Sequence, residues 1–141
     1  MPDSSHLISV PVGKLGIIPL QSSKPLGEKV DSYISRWRAD RQHEHKDNIT
    51  FSGYEKNSYI LKSDCPRFGS GEAKGTLSES VRGTDLYLLV DVMNHSIEYK
   101  VCGRPNMMSP DDHFADLKRV IAAIGGKSTR ITVIMPFLYE S

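Results

Sequence analysis

The five residues Phe68-Gly69-Ser70-Gly71-Glu72 have the types most suited to holding a ligand. Two glycines let the backbone approach a bound group closely. An aromatic face can stack on a base, and a carboxylate can accept from its exocyclic amine, a pairing that suits a purine. A plain glycine-rich turn is the alternative reading of the same residues. The remaining constellations offer less. His43-x-His45 could ligate a metal, but on a polar stretch the two imidazoles read as solvated. Asp111 and Asp112 could hold magnesium, yet they follow Ser109-Pro110, where the start of a helix explains them better. Cys102 and His95 lack an orienting third group and are not assigned as nucleophile and base. The phosphate loop G-x-x-x-x-G-K-[ST], the dinucleotide fingerprint G-x-G-x-x-G and the zinc helix H-E-x-x-H are absent. No complete catalytic set and no metal site follow from the residues themselves.

Positioning such groups falls to the elements around them. Leu86-Tyr87-Leu88-Leu89-Val90 and Ile131-Thr132-Val133-Ile134-Met135 are nearly continuous apolar runs, the pattern of parallel strands covered on both faces. Between them Ser109-Pro110-Asp111-Asp112 opens a helix. Phe114, Leu117, Val120, Ile121 and Ile124 give it one apolar face, and Gly125-Gly126 ends it. Strand, crossover helix and strand make a right-handed βαβ unit. Upstream, Leu15 to Leu20 predicts a first strand ending at Pro19. Ser22-Ser23-Lys24-Pro25 then predicts a helix over 24–38 that turns Leu26, Val30, Tyr33, Ile34 and Trp37 inward. Residues 39–57 show neither period and read as a mobile surface insertion. Residues 58–62 suggest a strand, and 74–80 suit a hairpin. The fold class is α/β, a mainly parallel sheet flanked by helices. In such a sheet ligands collect beyond the carboxyl ends of the strands, so 91–95 and 136–141 should border a site.

A chain of 141 residues fits one domain. With 18 basic and 17 acidic residues, the formal charge of +1 gives no pull toward nucleic acid or a membrane surface. Cys65 and Cys102 form no C-x-x-C pair and suit a reducing compartment. No basic-then-apolar leader opens the sequence, and no apolar run approaches the roughly 18 residues of a membrane span. A cytoplasmic location is expected.

From Phe68 to Tyr139 several blocks fall in a familiar order: Phe-x-x-Gly-Glu, then Glu79-Ser80-Val81-Arg82-Gly83-Thr84-Asp85, then Asp111-Asp112, then Arg130-Ile131-Thr132-Val133-Ile134-Met135-Pro136-Phe137. This order resembles the first domain of ribose-phosphate pyrophosphokinases, whose blocks read approximately F-S-D-G-E, E-S-V-R-G-x-D, N-D-x-L-M-E-L and R-I-T-A-V-I-P-Y. The resemblance implies a fold like the type I phosphoribosyltransferases. It implies an activity that moves the diphosphoryl group of ATP to the 1-hydroxyl of ribose 5-phosphate with magnesium (Mg2+), in a homo-oligomer. By the same resemblance Phe68 stacks on adenine and Glu72 helps recognise it, from a loop reaching a neighbouring subunit's site. Ser80 and Arg82 fall where the family binds phosphate groups of an allosteric effector. The departures are Ser70 where the family has aspartate, Asp91-Val92 for Gln-Ser, and Tyr139-Glu140-Ser141 for Tyr-Ala. The family's Arg-Gln pair, later histidine and lysine, and ribose-phosphate loop of a second domain have no counterpart in these residues. The chain is therefore expected to be inactive alone. A non-catalytic regulatory or assembly subunit of the same fold is the alternative.

Overall fold

The computed structural model describes residues 11–44 and 56–140. Lys14–Pro19 forms strand β1, a 3-10 turn covers Gln21–Ser23, and helix α1 spans Lys24–Glu44. Two short strands, β2 (Ser63–Asp64) and β3 (Thr76–Leu77), pair antiparallel at the base of a long loop. Strand β4 (Thr84–Leu89) is followed by an antiparallel hairpin of β5 (Glu98–Val101) and β6 (Arg104–Met107). Helix α2 (Pro110–Ile124) and strand β7 (Arg130–Ile134) close the described chain. The main sheet has the order β1-β4-β7 and is parallel throughout, with Ile18 opposite Leu88 and Leu88 opposite Val133.

Pro19 ends β1 as its missing N–H requires, and Leu20 N–H carries the ladder onward to Leu89 O at 2.9 Å. The α2 boundaries are those expected. Ser109 Oγ accepts from Asp112 N at 3.2 Å while Asp112 Oδ2 accepts from Ser109 N at 2.9 Å, a reciprocal capping box. Gly125 terminates the helix with φ 58°, a left-handed conformation that glycine adopts without strain.

Helices cover both faces of the sheet. Ile18, Leu86 and Leu88 pack with Leu117, Val120 and Ile124 of α2, whereas Ile17 and Leu89 pack with Val30 and Ile34 of α1. The central strand β4 is buried on both sides, as its apolar run predicts. The run at β7 has a different fate. Among the described residues β7 has a neighbour only at β4, so its outer part stays wet and Val133 is 39% exposed. Ile131 and Met135 still pack against the α2 cluster.

The face of α1 also departs from expectation. The helix continues to Glu44, and Leu26, Tyr33 and Trp37 point outward, Trp37 being 64% exposed. The inward line runs instead through Gly27, Val30, Asp31 and Ile34. Gly27 lies so close to β1 that a Cβ there would stand 2.4 Å from Pro19 Cβ. Asp31 accepts from Tyr59 N at 2.6 Å. These two contacts fix the rotation of the helix, and an apolar count along its length does not register either. Of the expected insertion, 39–44 are helical and 45–55 lie outside the described residues. The 58–62 segment runs beside β1 through one parallel bridge, Ile17 to Ile60, and only Thr76–Leu77 of 74–80 pairs. Among the described residues no helix is long and apolar enough to cross a membrane.

Candidate functional site

The loop between β2 and β3 narrows at a bridge between Arg67 and Ala73 and closes on a tight turn. Phe68 N–H donates to Glu72 O at 2.7 Å and Gly71 N–H to Phe68 O at 2.9 Å. Gly71 has φ 93°, where a side chain would be strained, so this glycine is required by the turn. The turn is thus closed through the backbone, without the Phe68 ring or the Glu72 carboxylate. Phe68 leans on no core and is 54% exposed, and Glu72 is exposed beside it. Ser70 Oγ sits 3.4 Å from both the Glu72 carboxylate and the Glu72 N–H, so the hydroxyl steadies the acid. Directly beneath, Arg67 donates to Asp116 at 2.9 Å and its guanidinium lies 4.5 Å over the Tyr99 ring.

Ser80 and Arg82 occupy a separate turn at the amino end of β4. Arg82 N–H donates to Ser80 Oγ at 3.4 Å, and both residues are exposed. Gly83 follows with φ 69° and bonds to Lys127 O at 3.0 Å. The neighbouring motif residues Asp85 and Arg130 bind each other in a two-pronged ion pair, at 2.7 Å through Nε. That hydrogen bond raises the Arg130 pKa further. These two therefore join β4 to β7.

At the carboxyl ends of the strands, polar side chains knit the crossover together. Ser22 Oγ accepts from Asp91 N at 3.1 Å, and Asn94 Nδ2 donates to Ser22 O at 3.0 Å. His113 Nε2 stands 2.7 Å from Asn94 O. A carbonyl only accepts, so Nε2 carries the proton. A cavity of about 20 Å³ lies here, lined by Ser22, Lys24, Cys65, His113 and Asp116. Since a water needs roughly 10–15 Å³, this space suits a water and excludes a nucleotide. Ser23 Oγ is buried with no hydrogen-bond partner among the described residues. Burial and then Asp116 push the Cys65 thiol up to about 11, leaving it protonated and unreactive. Burial also raises Asp116, against the pull of Arg119 and Arg67.

Asp112 is occupied by its cap, and Asp111 accepts from Tyr139 Oη at 2.6 Å. That bond raises the tyrosine's pKa. Cys102 turns to Gly69 O rather than to His95. His43 and His45 lie outside what the structure describes at the level of side chains. Sequence reasoning missed the Arg67-Asp116-Arg119 cluster and the Ser22-Asn94-His113 chain. Arg67 and Asp116, and Ser22 and Asn94, lie far apart along the chain, and the residue types at 113 and 116 do not mark those positions of α2 as buried.

Two helices on a parallel sheet define an α/β domain that presents loops at both strand ends. Residues 15–141 match the family model described as the N-terminal domain of ribose phosphate pyrophosphokinase, and the chain belongs to that family. No curated protein matches the chain.

Proposed function

We propose that this domain supplies base recognition to an enzyme that transfers the diphosphoryl group of ATP to ribose 5-phosphate, forming phosphoribosyl pyrophosphate for nucleotide biosynthesis. The observation that carries the reading is the exposed Phe68 ring beside the Glu72 carboxylate, on a turn that needs neither for its own closure. The ring stacks on adenine and the carboxylate accepts from its amine. The loop serves a neighbouring subunit of a cytoplasmic homo-oligomer in this reading. Ser80 and Arg82 offer a hydroxyl and a guanidinium to an effector phosphate. Magnesium belongs to the reaction, but among the described residues no group of three or more His, Cys, Asp or Glu could hold it. Asp111 accepts from Tyr139 and Asp112 serves the helix cap. Phosphoryl transfer depends on clustered cations and metal, and this chain alone is expected to show no activity.

In the assembled enzyme, Phe68→Ala and Glu72→Ala should each raise the KM for ATP roughly 5- to 150-fold, the loss of a contact of about 1–3 kcal/mol. The KM for ribose 5-phosphate should hold. Unchanged ATP constants in both folded variants would remove the assignment. The second reading, a regulatory or assembly subunit, is favoured by Asp91, whose carboxylate accepts from Met93 N at 3.0 Å and closes its own turn. An assembled protein that binds ATP without turnover would select it.

A further inference from the structure

Between β4 and α2 the chain makes a detour that the parallel crossover does not need. The β5–β6 hairpin adds no strand to the main sheet, and β6 is exposed along its length. Two strands alone are marginally stable in water, so other contacts must order them. Those contacts lead to the candidate base-recognition loop. At the tip, Cys102 N–H donates to Gly69 O at 2.9 Å, and Cys102 Sγ lies 3.3 Å from the same oxygen. Val101 Cγ2 is 3.5 Å from the place a Cβ on Gly71 would take. Lower down, Tyr99 lies under the Arg67 guanidinium and donates to Asp112 at 3.3 Å. The hairpin is thus anchored on α2 at one point and touches both glycines of the loop at another.

The turn itself is built for this reach. Cys102 and Gly103 have φ 48° and 79°, two successive left-handed residues of the kind that fit the twist of a tight hairpin. That geometry aims the Cys102 N–H outward at Gly69.

We propose that the β5–β6 hairpin is a positioning element for base selection: by holding Gly69 O and the space beside Gly71, it sets how the Phe68 ring and Glu72 carboxylate meet a purine. The base-selection half rests on the proposed function, whereas the bracing half does not. Tyr99 and Val101 are the positioning residues. They touch no ligand and act through the loop.

Amide hydrogen exchange on the 141-residue chain tests the brace. The Phe68 and Gly71 amides report the turn, and the β4 amides report the fold. Tyr99→Ala combined with Val101→Ala should speed exchange at Phe68 and Gly71 by about tenfold or more with β4 unchanged. Cys102→Asn keeps the N–H and suits a left-handed position, so it should exchange like the parent. Unaltered loop exchange in the double variant overturns the proposal. Should β4 lose protection as well, Val101→Ala alone serves for the same comparison. In the assembled enzyme the ratio of KM for GTP to that for ATP should fall toward unity in the double variant, with the KM for ribose 5-phosphate unmoved. A fixed ratio, where Phe68→Ala does shift it, overturns the selection role. If Phe68→Ala itself leaves the ratio fixed, the proposed function fails, and the exchange result alone decides the brace.

Discussion

The two cysteines show how far neighbours decide a side chain's chemistry. Cys65 is half-buried beside Asp116 with its thiol pushed up to about 11, whereas Cys102 stands exposed on a turn. Iodoacetamide at neutral pH should therefore label Cys102 well before Cys65 in the folded chain, and equal rates by mass spectrometry would contradict the burial. Asp112 presents the reverse case. Burial pushes its carboxyl up, but hydrogen bonds from the Ser109 backbone and hydroxyl and from Tyr99 outweigh that and bring it below the ordinary 3.8. A carboxyl depressed by folding stabilises the fold above its unfolded value and loses that contribution as pH falls through the folded one. The stability gap between wild type and Asp112→Asn should accordingly narrow as denaturant titrations move below pH 3.8. Ser109→Ala removes the other half of the cap and should cost about 1 kcal/mol in the same titration at neutral pH.

Elements differ in how openly the sequence declares them. The start of α2 is legible because Ser109, Pro110 and Asp112 act within one turn, and β4 is legible because its apolar run needs no knowledge of its partners. The face of α1 is hidden, since it is chosen by Gly27 against Pro19 and Asp31 against Tyr59. Trp37→Ala should then change stability by no more than about 0.5 kcal/mol, as for other surface positions, and a larger loss would put the ring in a core. The β5–β6 hairpin is illegible because β6 is Arg-Pro-Asn-Met and its turn is Cys-Gly rather than Asn-Gly. The glycine turn of the candidate site is visible in the sequence, but the supports under it are not. Gly75 is one such support, since a Cβ there would stand 2.3 Å from Arg119 O on α2. Gly75→Ala must push backbone from backbone, and a loss of roughly 1–3 kcal/mol is expected on thermal unfolding.

Over the whole molecule, β4 is the member that both layers share. Leu88 is fully buried between β1 and β7 against α2, and Leu88→Ala should cost about 2–5 kcal/mol, a large part of the roughly 5–15 kcal/mol typical of a domain. A loss below about 1 kcal/mol in urea unfolding would show that the two sides of the sheet hold independently. The register of β1 against β4 also carries a consequence in time. Strand β1 pairs with one that begins only at Thr84, and the helix that follows it rests on the face those two strands make together. Until Leu89 has been synthesised, Ile17 and Ile18 lack their β4 partners and have only the 58–62 segment to pair with, so the parallel sheet forms late in synthesis and its apolar strand waits uncovered until then.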